Sequence, residues 1–165
     1  MIVVLPRIKS LKFWHLFRLK LQINHYSYMK QEDKDLLLRD LCARLPYGVK
    51  VLTLFENKEV NGLLEAVYPE DDRIIISNLS RPCHYLKQDC GGFIIEENGC
   101  KPYLFPMSSM TEEQKKEEYE ICKYYLNGYE SKLIDFYNKN HLDYRGLIPK
   151  GLALDATNLN IYETI

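Results

Sequence analysis

Residues 101–120, "KPYLFPMSSMTEEQKKEEYE", combine two kinds of local structure in one short stretch. "KPYLFP" is typical of a short β-strand closed by a proline, and "MSSM" is typical of a turn. Thr111 lies three residues before Gln114, which is the spacing of a helix capping box. The two residues between them are Glu112 and Glu113, whose negative charges the helix dipole favours. The stretch therefore predicts the border between a β-unit and a helical C-terminal part.

Before this border, several short runs carry the β-branched and alternating patterns of strands. "VKVLTLF", "EVNGLLEAVY" and "RIIISNL" predict three strands, which the polar turns "ENKE" and "PEDD" separate. "GGFIIEENGCKPYLF" predicts a fourth and a fifth strand around a tight turn. Gly62, inside the second strand, predicts a bulge or bend. The β-unit, residues 47–106, is therefore predicted to be a small, strongly curled antiparallel sheet or an SH3-like barrel.

An amphipathic helix is predicted before the β-unit, over residues 29–46. Leu37, Leu41 and Leu45 recur four residues apart, and Pro46 begins the "PYG" break. These leucines form a stripe along one side of the helix. Such a stripe is more typical of a side that faces the core than of a side that binds a partner.

Two further helices are predicted after the border, in "TEEQKKEEYEICKYYL" and "YESKLIDFYNKNH", with Gly128 between them. The last segment, "LDYRGLIPKGLALDATNLNIYETI", reads as turns with short apolar anchors. These elements form a helical tail over residues 107–165. The predicted fold class is α+β, with an N-terminal helix, the sheet and C-terminal helices in a single domain over residues 29–165.

Composition limits the class of protein. A chain of 165 residues that is 46% hydrophobic and 27% charged can bury a core without disulfides or metal. No uninterrupted apolar run reaches the roughly 18 residues that a membrane-spanning helix needs. The five cysteines are an odd number at irregular spacing, which is typical of reduced thiols. We therefore expect a soluble, cytoplasmic protein.

Charge is distributed unevenly along the chain. Residues 1–28 hold five of the 22 basic residues and no acidic residue, which leaves 17 basic against 23 acidic residues in the rest. "SLKFWHLFRLKLQI" has an irregular basic amphipathic pattern, which suits a membrane surface or a partner. The abrupt change at Met29 favours a different interpretation, a basic extension that is either loosely attached or outside the native product.

The cysteines and histidines of the chain could form a zinc site or a Cys/His nucleophile, or could be inert. Zinc sites and Cys/His nucleophiles use the residue types found at five positions, but these positions lack paired zinc-ligand spacing and any recognisable flanking signature. The residues are Cys83, His84, Cys90, Cys100 and His141. "QDCGGFI" lacks the Lys-Ser/Thr of a phosphate loop. The acidic pairs at 71–72 and 96–97 lie in turn-like stretches, where solvated charge is the simpler interpretation. The sequence predicts no catalytic residue, metal ligand or cofactor.

Three stretches, residues 36–51, 101–120 and 140–156, carry a resemblance to a known group. They resemble uncharacterised proteins common in phages and mobile elements of gut Bacteroides-type bacteria, and the resemblance spans most of residues 29–165. The group has no established activity to carry over. What the resemblance implies is a cytoplasmic accessory protein of a bacterial host or its phage.

A candidate interaction surface is predicted in and near "DYRGLIPKG". This stretch could form a small binding patch, or a docking clip in which Arg145 pairs with Asp143 or with the acidic helix. The chain also has 13 tyrosines, whose rings and hydroxyls suit interfaces and base stacking, although a core boundary is the simpler interpretation. The candidate residues are Asp143, Tyr144, Arg145, Lys150, Lys101 and Tyr103.

The leading functional prediction is a non-enzymatic module that binds a protein partner. A nucleic-acid-binding module that uses the barrel face is the alternative, but the acidic body offers it little phosphate attraction. A small enzyme or a counter-defence ligand-binding protein is the third possibility, and it requires a deep pocket with convergent polar groups.

Overall fold

The computed structural model describes residues 29–55, 58–78, 93–95, 99–124 and 129–162. Several predictions lie outside these residues. They concern the basic extension, the glycine pair at 91–92, the acidic pair at 96–97, and three candidate ligands, Cys83, His84 and Cys90.

The predicted N-terminal helix is confirmed as α1, Gln31–Arg44. Acidic residues lie in its first turn and Arg44 in its last, as the helix dipole favours. A 3-10 turn, Leu45–Tyr47, follows, and Gly48 ends it in the left-handed conformation with φ of 67°. A residue without a Cβ adopts this backbone at little cost, so the chain can turn directly into the first strand.

Within the described residues, six strands form one open sheet in the order β4-β3-β2-β1-β5-β6. Neighbouring strands are antiparallel except β5 and β6, which are parallel. The strands are β1 (Lys50–Phe55), β2 (Lys58–Tyr68), β3 (Arg73–Asn78), β4 (Phe93–Ile94), β5 (Lys101–Leu104) and β6 (Leu154–Asp155). The α+β class is therefore confirmed, and the first five strands are those that the sequence predicts.

The sheet differs from the prediction in two respects. It is neither closed nor strongly curled, because β4 and β6 are its two edges in the part of the chain described, so the SH3-like barrel is not confirmed. The tail also contributes β6, where the sequence predicts turns. Leu154 and Asp155 pair with Tyr103 and Leu104, and two residues are too few to show a strand pattern.

Gly62 serves a different purpose from the predicted bulge. The register of β2 against β3 shifts between Leu64 and Ala66, two residues further along. At Gly62 itself, an added Cβ would lie 2.2 Å from the carbonyl oxygen of Ser77 on β3. Glycine is therefore required because the two backbones approach closely.

The core lies between α1 and the inner face of the sheet. Leu37 and Leu41 of α1 are fully buried, and Val51, Ile74 and Leu104 face them from three strands. Along β1 the buried Val51 alternates with the half-buried Leu52, as expected when one face of a sheet is covered. Hydrophobic burial of this interface is the main source of stability.

Two helices follow the sheet: α2, Glu112–Tyr124, and α3, Tyr129–Lys139. The predicted capping box is confirmed, since Gln114 N–H donates to Thr111 Oγ1 at 3.2 Å and Thr111 N–H donates to Gln114 Oε1 at 2.9 Å. α2 packs against α3 through polar contacts, including a 2.5 Å hydrogen bond from Tyr137 to Glu118. None of the helices in the residues described is long and apolar enough to span a membrane.

Candidate functional site

Asp143 organises the turn that follows α3. Its Oδ1 accepts the backbone N–H of Leu147 at 2.7 Å, and its Oδ2 accepts that of Ile148 at 2.8 Å. Gly146 lies between them with φ of 70°, a conformation that an L residue with a side chain rarely adopts. The buried carboxylate therefore fixes the "DYRGLIPKG" turn from inside.

The two residues after Asp143 are held by aromatic and cationic contacts. The Tyr144 ring stacks on Tyr137 with centroids 5.2 Å apart and an interplanar angle of 27°. The guanidinium carbons of Arg145 and Arg44 lie 4.9 and 5.6 Å from the centroid of the Tyr144 ring. Such cation–π contacts stabilise a guanidinium most when water is excluded.

Arg44 and Arg145 share the carboxylate of Asp40, a group that we call the Arg–Asp–Arg cluster. Arg44 Nε donates to Asp40 Oδ2 at 2.7 Å, and both side chains are fully buried. Arg145 Nε lies 3.8 Å from Asp40 Oδ1. Arg44 also donates through Nη2 to the Leu142 carbonyl at 2.8 Å, so the cluster ties α1 to the segment after α3. Arg145 therefore pairs with Asp40 of α1.

Several buried polar atoms around this cluster have no hydrogen-bond partner among the described residues. An unpaired buried donor or acceptor costs about 1–3 kcal/mol, and more when it is charged, so such atoms need an explanation. The atoms are Asp40 Oδ1, Arg44 Nη1, Asn138 Oδ1, His141 Nδ1, Tyr144 Oη and Arg145 Nη1.

His141 connects the cluster to the C-terminal segment. It is buried in the left-handed conformation with φ of 53°, and its ring stacks on Tyr162 with centroids 4.0 Å apart. Burial, with smaller contributions from the positive charges of Arg44 and Lys50, lowers the pKa of His141 to about 4. The imidazole is therefore neutral at physiological pH.

The hydroxyl of Tyr162 lies between two strands. It accepts the backbone N–H of Lys50 on β1 at 3.1 Å and donates to the carbonyl of Tyr103 on β5 at 2.8 Å. Burial raises the pKa of Tyr162, so the hydroxyl keeps its proton. A side chain from the tail thus supplies the link between β1 and β5 at this position.

The other predicted interaction residues are dispersed. Lys150 forms an ion pair with Asp33 of α1 at 3.1 Å. Tyr103 is buried and donates to Asn61 on β2 at 2.7 Å, while Lys101 is half-buried on β5. The structure therefore brings Asp143, Tyr144 and Arg145 into one turn, and it places the other three residues elsewhere.

Asp40 and Arg44 are not among the site residues predicted from the sequence, although their positions on α1 indicate that both are buried. Both fall at helical spacing from Leu37, three and seven residues along, and therefore on the leucine stripe of α1. Charged residues on a stripe that faces the core must be paired, so this placement predicts a buried ion pair.

The thiols of Cys42 and Cys100 are not activated, because desolvation raises the pKa of both. Cys100 is buried, its Sγ lies 3.3 Å from Thr53 Oγ1, and desolvation raises its pKa to about 11. A thiol with such a pKa is protonated at neutral pH and is a poor nucleophile. In the part of the chain described, no three His, Cys, Asp or Glu side chains are grouped to hold a metal ion.

The outward side of α2 carries a second feature, which we call the Lys–Tyr face: Lys115, Lys116, Tyr119 and Lys123. Gln114 and Glu118 turn the opposite side of the helix towards α3. Tyr119 is 62% exposed, and Lys123 Nζ lies 5.9 Å from its ring. No side chain between residues 112 and 123 is buried, so α2 rests on its partner helix by one polar side.

A small pocket lies where α2 begins. Its volume is about 170 Å³, below the roughly 300–1,000 Å³ of typical small-molecule sites. The lining residues are Phe105, Ser109, Thr111, Gln114, Asn140 and Leu142. Thr111 and Gln114 satisfy each other in the capping box, so the pocket lacks convergent unpaired polar groups from these two residues.

Comparisons with protein-family models, curated proteins and solved structures found no match to this chain.

Proposed function

We propose that this protein is a non-enzymatic protein-binding module that docks a partner on the Lys–Tyr face. The observation that carries the proposal is the 62% exposure of Tyr119 among three lysines on a helix with no buried side chain between residues 112 and 123. A helix that buries so little either is stabilised by pairs along its own surface or bridges to another body. Tyrosine is enriched at interfaces because it combines an apolar ring with a polar tip.

The partner chemistry follows from the charges of α2. Lys115 pairs with Glu112 on the same side of the helix at 2.7 Å, so Lys116 and Lys123 are the lysines of the face that suit an acidic segment of a protein. Such a segment can lay an apolar side chain against Tyr119.

Nucleic acid is less favoured, because Glu113, Glu117 and Glu120 occupy the adjoining side of the same helix and would repel phosphates. The small pocket gives little support to an enzyme or a ligand-binding protein.

The resemblance to phage and mobile-element proteins supports the same proposal. An accessory protein of this kind would act in the cytoplasm of the bacterial host and would need a docking surface. The strand order, with β5 beside β1, is also compatible with a partly open SH3-like arrangement. The proposed fold of the β-unit is therefore a partly open SH3-like sheet.

Photo-crosslinking tests the proposal in the full chain. Tyr119→benzoylphenylalanine places the probe in the Lys–Tyr face, and the same substitution at exposed Glu65 on β2 is the positional control. After irradiation in a bacterial host, protease and nuclease treatment shows whether the adduct is protein or nucleic acid, and mass spectrometry reads the crosslinked peptide.

We expect a protein adduct on an acidic peptide at position 119 and none at position 65. The adduct should disappear when Lys115, Lys116 and Lys123 are changed to Glu, and should persist when Glu113, Glu117 and Glu120 are changed to Gln. An adduct that survives the lysine reversal, a nuclease-sensitive adduct, or no adduct would contradict the proposal.

A further inference from the structure

The Arg–Asp–Arg cluster has an unbalanced charge. Arg44 and Arg145 share the one carboxylate of Asp40. Asp143, the other acidic residue of this segment, accepts hydrogen bonds from two backbone amides. A guanidinium keeps its proton at every physiological pH, so neither arginine can relieve the imbalance by neutralising itself. The three groups of the cluster therefore carry one net positive charge, while the Asp143 carboxylate keeps its negative charge on the backbone amides of Leu147 and Ile148.

Three unpaired hydrogen-bond donors accompany that charge. Arg44 Nη1, Arg145 Nη1 and Tyr144 Oη are buried and without partners in the described part of the chain. Both guanidinium carbons lie within 5.6 Å of the Tyr144 centroid, and Tyr137 stacks on the same ring. The three donors are therefore gathered around the Tyr144 ring.

Acceptors of the region also lack hydrogen-bond partners among the described residues, namely Asp40 Oδ1, Asn138 Oδ1 and, in one tautomer, His141 Nδ1. Asp40 Oδ1 lies 3.8 Å from Arg145 Nε, which is close enough for an ion pair but too far for a hydrogen bond. The Leu142 carbonyl is already taken by Arg44 Nη2. Buried charges in proteins are stable only when they are paired and hydrogen-bonded.

From this geometry we propose that the cluster binds a small anion between Arg44, Tyr144 and Arg145. The anion accepts hydrogen bonds from the two guanidinium groups and the hydroxyl, and it balances the net positive charge of the cluster. Chloride, phosphate and a small carboxylate share this chemistry. The bound anion would fasten the turn after α3 to α1, because Arg44 belongs to the helix and Arg145 to the turn.

Thermal unfolding of the full chain tests the proposal. The melting temperature is measured in sodium chloride, phosphate and acetate against sodium gluconate, at one pH and one ionic strength. A ligand that binds only the folded state raises the melting temperature in proportion to the logarithm of its concentration above Kd. We expect at least one small anion to raise the melting temperature by about 3 °C or more. The comparison of chloride, phosphate and acetate identifies which anion it is.

Three variants locate the effect. Arg145→Gln should abolish the anion-dependent increase, since it removes both a donor and the surplus charge. Tyr144→Phe should reduce the increase while it keeps the ring, and it serves if Arg145→Gln does not fold. Lys150→Gln removes a positive charge from an exposed residue of the same turn and should keep the full increase.

Anomalous scattering from crystals grown with bromide gives a direct position. A peak between the guanidinium groups of Arg44 and Arg145 supports the site. Equal melting temperatures in all four salts would overturn the proposal, as would an increase that persists in Arg145→Gln or bromide found only elsewhere.

Discussion

At the scale of single residues, the hydroxyl of Tyr162 replaces a backbone hydrogen bond. It links the Lys50 N–H to the Tyr103 carbonyl, so Tyr162→Phe leaves two backbone groups unpaired. We expect the free energy of unfolding to fall by about 1–3 kcal/mol in urea titrations.

Tyr119→Phe is the matched control for this prediction. The Tyr119 side chain is 62% exposed, so its hydroxyl reaches water, and the change should stay within about 0.5 kcal/mol. Equal losses in the two variants would show that the hydroxyl between β1 and β5 does not stabilise the sheet.

His141 makes the stability depend on pH. Its folded-state pKa is about 4, below the ordinary value of 6.5, so in this window the unfolded chain binds a proton that the folded chain does not. The associated stability is complete above pH 6.5, declines as the pH falls, and is fully lost below pH 4. The loss amounts to at most about 3 kcal/mol.

Urea titrations at several pH values between 6.5 and 4 measure this decline. His141→Asn removes the titrating group and keeps a residue that tolerates positive φ. The free energy of unfolding of this variant should therefore depend less on pH. If the free energy of unfolding fell equally with pH in the variant and in the unchanged chain, the assignment to His141 would be contradicted.

The residues that could be predicted from the sequence are those whose partners are close along the chain. Thr111 and Gln114 are three residues apart, and their capping box forms as expected. Arg44 and Leu142 are 98 residues apart, and Lys50 and Tyr162 are 112 apart. Local periodicity contains no information on such pairs, so the cluster and the Tyr162 link appear only in the folded chain.

At the scale of elements, β2 depends on the absence of a side chain at Gly62. An alanine Cβ there would lie 2.2 Å from the Ser77 carbonyl oxygen, so Gly62→Ala must push β2 and β3 apart. We expect a loss of about 2 kcal/mol or more in urea titrations.

Gly151→Ala separates this steric effect from backbone strain. Gly151 has φ of 71° but no atom within 4 Å of an added Cβ, so its substitution should cost only about 1 kcal/mol. A smaller loss at Gly62 than at Gly151 would contradict the close approach of the strands.

Strong periodicity explains which elements could be predicted. The leucine stripe gives α1 to within two residues at each end, Gln31–Arg44 against residues 29–46. The two-residue β6 has no such pattern, and it forms because β5 offers its free edge. Closure of the sheet depends on strand curvature, which composition does not encode.

At the scale of the whole molecule, stability is unevenly distributed. α1 buries leucines against the sheet, whereas α2 has no buried side chain between residues 112 and 123. Elements with few buried contacts open at lower free energy than the core does. We therefore expect the central amides of α2 to exchange with deuterium at least about tenfold faster than those of α1.

Hydrogen exchange followed by mass spectrometry or NMR checks this order. Peptides from β1 and β5 provide the reference for global unfolding, because both strands pair within the core sheet. Equal protection of α1 and α2 would mean that the helix proposed for docking is as firmly held as the core.

The link made by Tyr162 also has a consequence for synthesis on the ribosome. Residue 162 is made 112 residues after Lys50, which corresponds to roughly 6–22 seconds at ordinary elongation rates. During that interval the nascent chain has β1, and later β5, without the hydroxyl that joins them. The hydrogen bonds through Tyr162 can form only after translation has passed the helices, whereas the backbone pairing of β1 with β5 does not require them, so this end of the seam between the strands is completed last.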